Sequence, residues 1–428
     1  MQERGQSIMI LRWALVGILF GATFTVSRLY SKEVDTSEER DEAYDKIGLF
    51  TRALEQIRES YVDADDVTYE KLIQGAIRGM ITSLDEHSQY LDKDAFQDMQ
   101  EETRGQFGGL GIVISIKDNA LTVVAPMEDT PGFRAGLQSG DRILQIDGEP
   151  TDGVALADAV KKLRGEPGTK VTLKVLRPKT QDVREVTIER ADIKVESVKD
   201  ARIIEDGIGY IRITQFNEPT AVALQEALAR LKESGLRALV LDLRNNPGGL
   251  LRAAIDVSQQ FLKRNEVIVS TRGRAASDDQ VYSARDPRPL LDLPMVVMVN
   301  SGSASASEIV AGALQDHRRA VLIGEKTFGK GSVQSVLQIS EDTALRLTTA
   351  RYYTPAGRMI HEQGIEPDIV IPLSPEDWRV LMLKRAREEN PEADVEITDE
   401  EEQIRDVQLD RAIAVLKGIM IYGERAGR

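Results

Sequence analysis

A chain of 428 residues, 41% hydrophobic and 29% charged, has a globular composition and the length of two or three domains. A net charge of −15 with no Lys/Arg-rich run argues against nucleic-acid binding. Having no cysteine excludes disulfides, thiolate nucleophiles and thiolate metal ligands together.

Arg4 and Arg12 precede Trp13 to Val26, an uncharged and mostly apolar stretch that ends at Arg28. A basic flank before an apolar run is the pattern of a signal peptide, or of a short membrane anchor if Arg12 snorkels. Residues 1–33 are therefore expected to direct export to the periplasm, leaving the protein soluble there or associated with the inner membrane. Thr36 and Glu39 have capping-box spacing, and Ile47, Phe50, Leu54, Ile57 and Tyr61 follow at helical steps. That stripe suits packing in cis or against a second subunit. With further helices expected over Thr68–Leu84 and Lys93–Glu102, residues 34–103 read as a helical region.

From Gly108 the pattern becomes alternating β-branched residues and turns, with a short helix near Leu156–Leu163 and a strand at Lys170–Arg177. Residues 104–190 resemble a PDZ domain. Gly109-Leu110-Gly111-Ile112 stands where that family has its carboxylate-binding loop, and Pro131-Gly132, Ala135-Gly136-Leu137 and Gly140-Asp141 match its later signature. The resemblance implies a free protein C-terminus as ligand, held by convergent backbone N–H groups beside a strand edge.

Beyond Ile208 strands alternate with helices, the pattern of an α/β core over residues 191–374. Strands are expected at Ile208–Ile213, Arg237–Leu243, Val267–Ser270, Met295–Val299 and Ala320–Ile323. Helices are expected at Pro219–Glu233, Leu250–Leu262 and Ser305–Gln315, and β-runs at Ser332–Ile339 and Ala344–Tyr353. Residues 271–290 read as an exposed excursion. Residues 375–428 read as helical and charged, with Leu409, Ile413, Leu416 and Met420 forming a docking stripe.

Two glycine-rich loops and one small-residue loop carry the chemistry. Asn300-Ser-Gly-Ser-Ala-Ser-Ala-Ser-Glu308 joins a buried strand to a helix. It places Ser305 where free helix N–H groups stabilise an oxyanion. The same spacing to Glu308 also makes Ser305 an ordinary N-cap. Gly-x-Ser-x-Gly is missing, and His87, His317 and His361 lie in no site-like context, so a Ser-His-Asp triad is poorly supported. Thr327-Phe-Gly-Lys330-Gly-Ser-Val-Gln334 supplies a lysine instead. To act as a base its pKa must fall from about 10.4 to about 7 or 8, at a cost on the order of 4 kcal/mol that burial can supply. Gln334, four residues on, shares its strand face. Gly324-Glu-Lys-Thr-Phe-Gly329-Lys330 fits a P-loop until Gly331 replaces the magnesium-binding hydroxyl. In Asp242-Leu-Arg-Asn-Asn-Pro-Gly-Gly249, the N–H of Gly248 or Gly249 is a candidate second oxyanion donor.

These three motifs, in this order after a PDZ-like unit, resemble the carboxyl-terminal processing (tail-specific) proteases, peptidase family S41. The resemblance implies an α/β multidomain fold: a crotonase-like ββα protease core, an inserted PDZ domain and helical N- and C-terminal regions. It implies Ser305 as nucleophile, Lys330 as general base and Gln334 completing a triad. The oxyanion hole would come from the Gly248-Gly249 amides and that of Ala306. Such an enzyme needs neither metal nor cofactor and cuts proteins near exposed C-termini. An activating adaptor and a homo-oligomer through the terminal helices are further expectations. The rivals are a non-catalytic PDZ scaffold and an acyl-CoA enzyme.

Overall fold

The computed structural model describes residues 43–117, 120–127, 130–138, 140–178, 180–285, 293–389 and 397–426. The expected signal segment and the Thr36–Glu39 capping box lie outside them. The described chain forms two compact units that meet between Leu84 and Asp85.

In the first unit, a helix over residues 43–60 is followed by the helix Tyr69–Thr82. Thr68 starts the latter by accepting the N–H of Lys71 at 3.2 Å. The apolar stripe of the first helix is largely bare: Ile47 is 59% exposed and Tyr61 53%.

The second unit is built on a six-stranded sheet in the order Val198–Glu205, Ile208–Ile213, Ala238–Asp242, Met295–Val299, Val321–Gly324, Ile369–Val370. The first pair is antiparallel and the others parallel. Ala238–Asp242 and Met295–Val299 are buried at every residue, as central parallel strands covered on both faces must be. Alternate residues serve the two faces. Ile211, Leu239, Leu241, Val297 and Val299 pack against helices Thr220–Glu233, Leu251–Ser258 and Ala306–Asp316. Tyr210, Val240, Val296 and Met298 face Ala412 and Leu416 of the helix Val407–Ala426. The C-terminal stripe read from the sequence thus docks onto this chain's own sheet.

A second sheet holds Gln89–Leu91, Ala344–Tyr353, Val267–Gly273, Gln280–Ser283 and Ser332–Gln338. Within the expected excursion at residues 271–290, largely exposed through Arg285 and outside the described residues from 286, the sequence reading missed one strand pairing. Val267 continues as a strand to Gly273 and pairs with Gln280–Ser283. That strand is polar because it forms an edge with exposed side chains, Val281 being 66% exposed.

The PDZ-like unit is a third sheet, Ile112–Lys117, Ala120–Pro126, Arg142–Ile146, Lys170–Arg177 and Asp182–Glu189, with the short Glu149–Pro150 alongside and the helix Leu156–Leu163. Its chain enters through Gln106–Gly109 and leaves through Ala191–Lys194, which pair with each other as a two-stranded ribbon. The unit is therefore an insertion with adjacent ends.

Candidate active site

The loop that ends the strand Met295–Val299 is stitched to the loop that ends Ala238–Asp242. Asn300 Oδ1 accepts the N–H of Asn245 at 2.8 Å, and Asn300 Nδ2 donates to Asn245 Oδ1 at 2.8 Å. The backbone carbonyl of fully buried Asn246 accepts from Ala304 N–H at 3.0 Å and from Ser307 Oγ at 2.9 Å. Each buried polar atom in this seam finds a partner, which fixes the two loops as one body.

On that body Ser305 is the N-cap of the helix Ala306–Asp316, with φ 54° and ψ −111°. A side chain at positive φ costs about 1–3 kcal/mol and persists where surrounding contacts over-determine it. Gly248 lies directly opposite. A Cβ there, built on its φ of 105°, would stand 2.8 Å from Ser305 Cβ and 3.0 Å from the Ala306 nitrogen. The geometry thus brings Gly248, Ser305 and Ala306 together. The Gly248 N–H already donates to Asn246 Oδ1 at 2.9 Å. Gly249 is exposed and pinned through its neighbours to Phe216, and among the described residues its own N–H has no acceptor.

Lys330 sits on the turn that opens the strand Ser332–Gln338 and is partly buried. Desolvation, and then the nearby positive charge of Arg346, lower its pKa below the ordinary lysine value. Among the described residues no carboxylate counters them. Gln334 lies at a bulge where the register with the strand Ala344–Tyr353 shifts. Its Nε2 donates to Thr348 Oγ1 at 2.8 Å and Ser332 Oγ at 3.2 Å. Its Oε1 is buried and has no partner among the described residues.

Glu308 links Ser305 and Lys330. Its carboxylate is fully buried and accepts four hydrogen bonds, from Thr327 Oγ1 at 2.5 Å, Gly329 N–H at 2.7 Å, Ser305 N–H at 2.8 Å and Lys330 N–H at 2.9 Å. Burial still pushes its pKa up. From the sequence it was visible only as the third residue of a capping box; the sole signal was that spacing.

Sequence reasoning also passed over the ionic cluster beneath the Gly248–Gly249 loop. Arg244 is buried between Asp242 and Asp406, with Nη2 2.8 Å from each and Nη1 3.0 Å from Gln408 Oε1. Burial would raise the Asp242 pKa, but Arg244 and Arg385 hold it far below the usual carboxylate range. Asp406 and Gln408 tie the C-terminal segment to the glycine loop.

In the PDZ-like unit, the Leu110 carbonyl accepts Gly132 N–H at 2.7 Å, and Gly111 O accepts Met127 N–H at 2.8 Å. With carbonyls turned inward, the N–H groups of Leu110 and Gly111 have no acceptor among the described residues. Gly109 closes the entry strand Gln106–Gly109. Ile112 opens the strand Ile112–Lys117, which is at the sheet edge.

Residues 207–371 match the family model of peptidase family S41, and residues 122–177 match a PDZ domain. The fold and these matches define a peptidase with an inserted PDZ domain. Residues 16–95 match the N-terminal domain of the activating protease CtpB. The carboxy-terminal-processing protease of Bartonella bacilliformis is 44% identical over 83% of this chain and 81% of its own length. The carboxy-terminal processing protease CtpA of Bacillus subtilis is 36% identical over 77% of this chain and 69% of its own. A solved photosystem II D1 C-terminal processing protease aligns over 76% of this chain and 92% of its own, at 30% identity and a TM-score of 0.44. The chain belongs to the carboxy-terminal processing proteases of peptidase family S41.

Proposed function

We propose that the protein is an exported endopeptidase that cleaves proteins near their C-termini through an acyl-enzyme on Ser305, with Lys330 as general base. The observation that carries this reading is the Glu308 carboxylate. It holds the Ser305 backbone to the turn bearing Lys330, a lysine whose surroundings favour the neutral amine.

Neutral Lys330 takes the Ser305 proton as Oγ bonds to the scissile carbonyl carbon. The N–H groups of Ala306 and Gly249 stabilise the oxyanion. When the C–N bond breaks, the Lys330 ammonium returns its proton to the leaving nitrogen. Water, deprotonated by Lys330, then attacks the ester and releases the new carboxyl terminus and Ser305. Gln334 Oε1, buried and without a partner among the described residues, suits the Lys330 amine as an orienting acceptor. No hydrogen bond joins the Ser305 hydroxyl to Lys330 among the described residues, so closing that contact is left to substrate binding. The PDZ domain captures the substrate C-terminus or gates this closure.

The test is cleavage of an unstructured protein by folded Ser305→Ala and Lys330→Ala variants. Wild-type cleavage by either ends the assignment. Export rests on Arg4, Arg12 and the apolar stretch after them; a cytoplasmic location of the full chain in cell fractionation would refute it. Among the described residues no helix is long and apolar enough to cross a membrane. The bare stripe on the helix over residues 43–60 supports a homo-oligomer, checked by light scattering of Ile47→Glu.

A further inference from the structure

The segment Thr214–Thr220 leads from the strand Ile208–Ile213 into the helix Thr220–Glu233 and carries two sets of contacts. On one side Phe216 brackets Gly249. Its N–H donates to Gly248 O at 2.8 Å, and its carbonyl accepts Leu250 N–H at 2.7 Å. The approach is so close that a Cβ on Gly249 would run into Phe216 O. On the other side the segment meets both ends of the PDZ insertion. Glu218 N–H donates to Thr103 O at 3.0 Å, and Thr214 N–H donates to Ser197 O at 2.9 Å. Gly105, where the entering chain turns at φ 67°, is seated on Asn217, whose side-chain amide a Cβ there would overlap. Gly105 O in turn accepts the N–H of Val195, on the leaving chain, at 2.9 Å. Thr220 ties these contacts together. Its buried hydroxyl donates to Asn217 Oδ1 at 2.6 Å, accepts Asn217 N–H at 2.9 Å and lies 2.8 Å from Ser197 Oγ.

A trans peptide is planar, with its C=O and N–H on opposite sides. By holding Gly248 O, Phe216 therefore turns the Gly249 N–H away from itself. That N–H has no acceptor among the described residues, and it follows directly on Gly248, which faces Ser305 and the Ala306 nitrogen. We infer that Phe216 is a positioning residue for the oxyanion hole: its N–H fixes the plane of the Gly248–Gly249 peptide, and the segment that carries it is anchored on both roots of the PDZ insertion. The inference rests on the roles proposed above for Ser305 and the Gly249 N–H. A peptide between two glycines turns over easily, because neither flanking residue has a Cβ to restrict it. Turned over, this one would point the Gly248 oxygen where the Gly249 N–H had pointed, setting an acceptor against an oxyanion. It would also leave the N–H of buried Phe216 without its acceptor. The Phe216 contact thus makes the donating orientation the stable one.

The experiment is Thr220→Val in the full chain, which keeps the shape and removes the hydroxyl that holds Asn217 and Ser197. The readouts are kcat and KM on an unstructured protein substrate, and Ki of a peptide trifluoromethyl ketone, whose adduct on Ser305 places an oxyanion in the hole. A positioning role predicts a fall in kcat of about 10- to 100-fold with little change in KM, short of the roughly 10²- to 10³-fold of deleting an oxyanion donor. Ki should rise in proportion to the loss of kcat/KM, and Thr220→Ser, which keeps the hydroxyl, should stay near native. Native kcat in Thr220→Val, or a fall in kcat with unchanged Ki, overturns the inference. Ser197→Ala removes only the side-chain hydrogen bond to the leaving PDZ linker; it should lower kcat and raise Ki in the same way, yet add nothing in the Thr220→Val background. No fall, or the same fall in both backgrounds, overturns the anchoring on the PDZ roots. If Thr220→Val fails to fold, Ser197→Ala carries the ketone comparison with the same two outcomes. Ser305→Ala, assayed alongside, separates the two layers. Cleavage by it defeats the underlying mechanism, whereas an inactive Ser305→Ala with native Ki in Thr220→Val defeats only the positioning role.

Discussion

Glu308 accepts the backbone N–H of Lys330 at 2.9 Å on Oε2, the carboxylate oxygen that also takes the Ser305 N–H at 2.8 Å. Lys330 and Ser305, far apart in sequence, thus hang from one buried atom. Glu308→Gln keeps the volume and removes the symmetry. Whichever way the amide turns, its NH2 faces two donors, leaving two buried N–H or O–H groups unsatisfied at about 1–3 kcal/mol each. We expect kcat to fall by two orders of magnitude or more, on the order of 2.7 kcal/mol or above, with a loss of stability measurable by denaturant unfolding. A variant with native kcat would contradict the arrangement.

The same carboxyl sets an acid limit on activity. Burial lifts the folded-state pKa of Glu308 above its unfolded value, against four donors that lower it. A raised carboxyl pKa means that protonation favours the folded chain. Its contribution to stability is full below the unfolded pKa and is lost as pH rises through the folded one. Acidification should therefore switch off kcat reversibly at a pH above the usual glutamate range while the circular dichroism of the fold persists. Coincident loss of activity and fold would refute this.

Lys330 acts on the same rising limb of activity with pH, but with the opposite sign for stability. Desolvation and then Arg346 lower its pKa, so the folded chain binds fewer protons here than the unfolded chain. Stability from this site is lowest while the amine is charged and rises with pH between the folded and unfolded values. Two results follow: Lys330→Met should be inactive yet no less stable at neutral pH, and Arg346→Met should move the alkaline rise of kcat/KM to higher pH. Rate-against-pH profiles of the wild type and Arg346→Met decide the second.

How much of this was legible beforehand depended on range. Ser305, Lys330 and Gln334 stood out because each lies in a short motif whose local spacing carries meaning. Glu308 also had meaningful spacing, but only its partner three residues back could be inferred; Thr327, Gly329 and Lys330 reach it by tertiary folding. Gly248 and Gly249 are equivalent on paper. Asn246 Oδ1 separates them by engaging the first amide. Gln280–Ser283 went unread as a strand because an edge strand with an exposed face has the polarity of a loop. The stripe of Leu409, Ile413, Leu416 and Met420 announced a docking face, but its partner is supplied by alternate residues of four strands.

Arg244 offers the last prediction. It is buried with Asp242 and Asp406 just before the glycine loop, and Arg385 reaches Asp242 at 3.1 Å. Arg244→Met removes the largest opposing charge from a buried carboxylate, and breaking such a cluster costs about 3–5 kcal/mol. The pH dependence is also fixed in sign. Asp242 in the native chain has a depressed pKa, so its stabilisation is present above the unfolded value and lost only as pH falls through the folded one. Without Arg244 the folded pKa rises, and the acid unfolding transition should move to higher pH. Asp406 and Gln408 lose their tie to the loop as well, so the helix Val407–Ala426 should become more open to amide hydrogen exchange before global unfolding. If that helix stays as protected as in the native chain while activity is lost, Arg244 acts on the glycine loop alone.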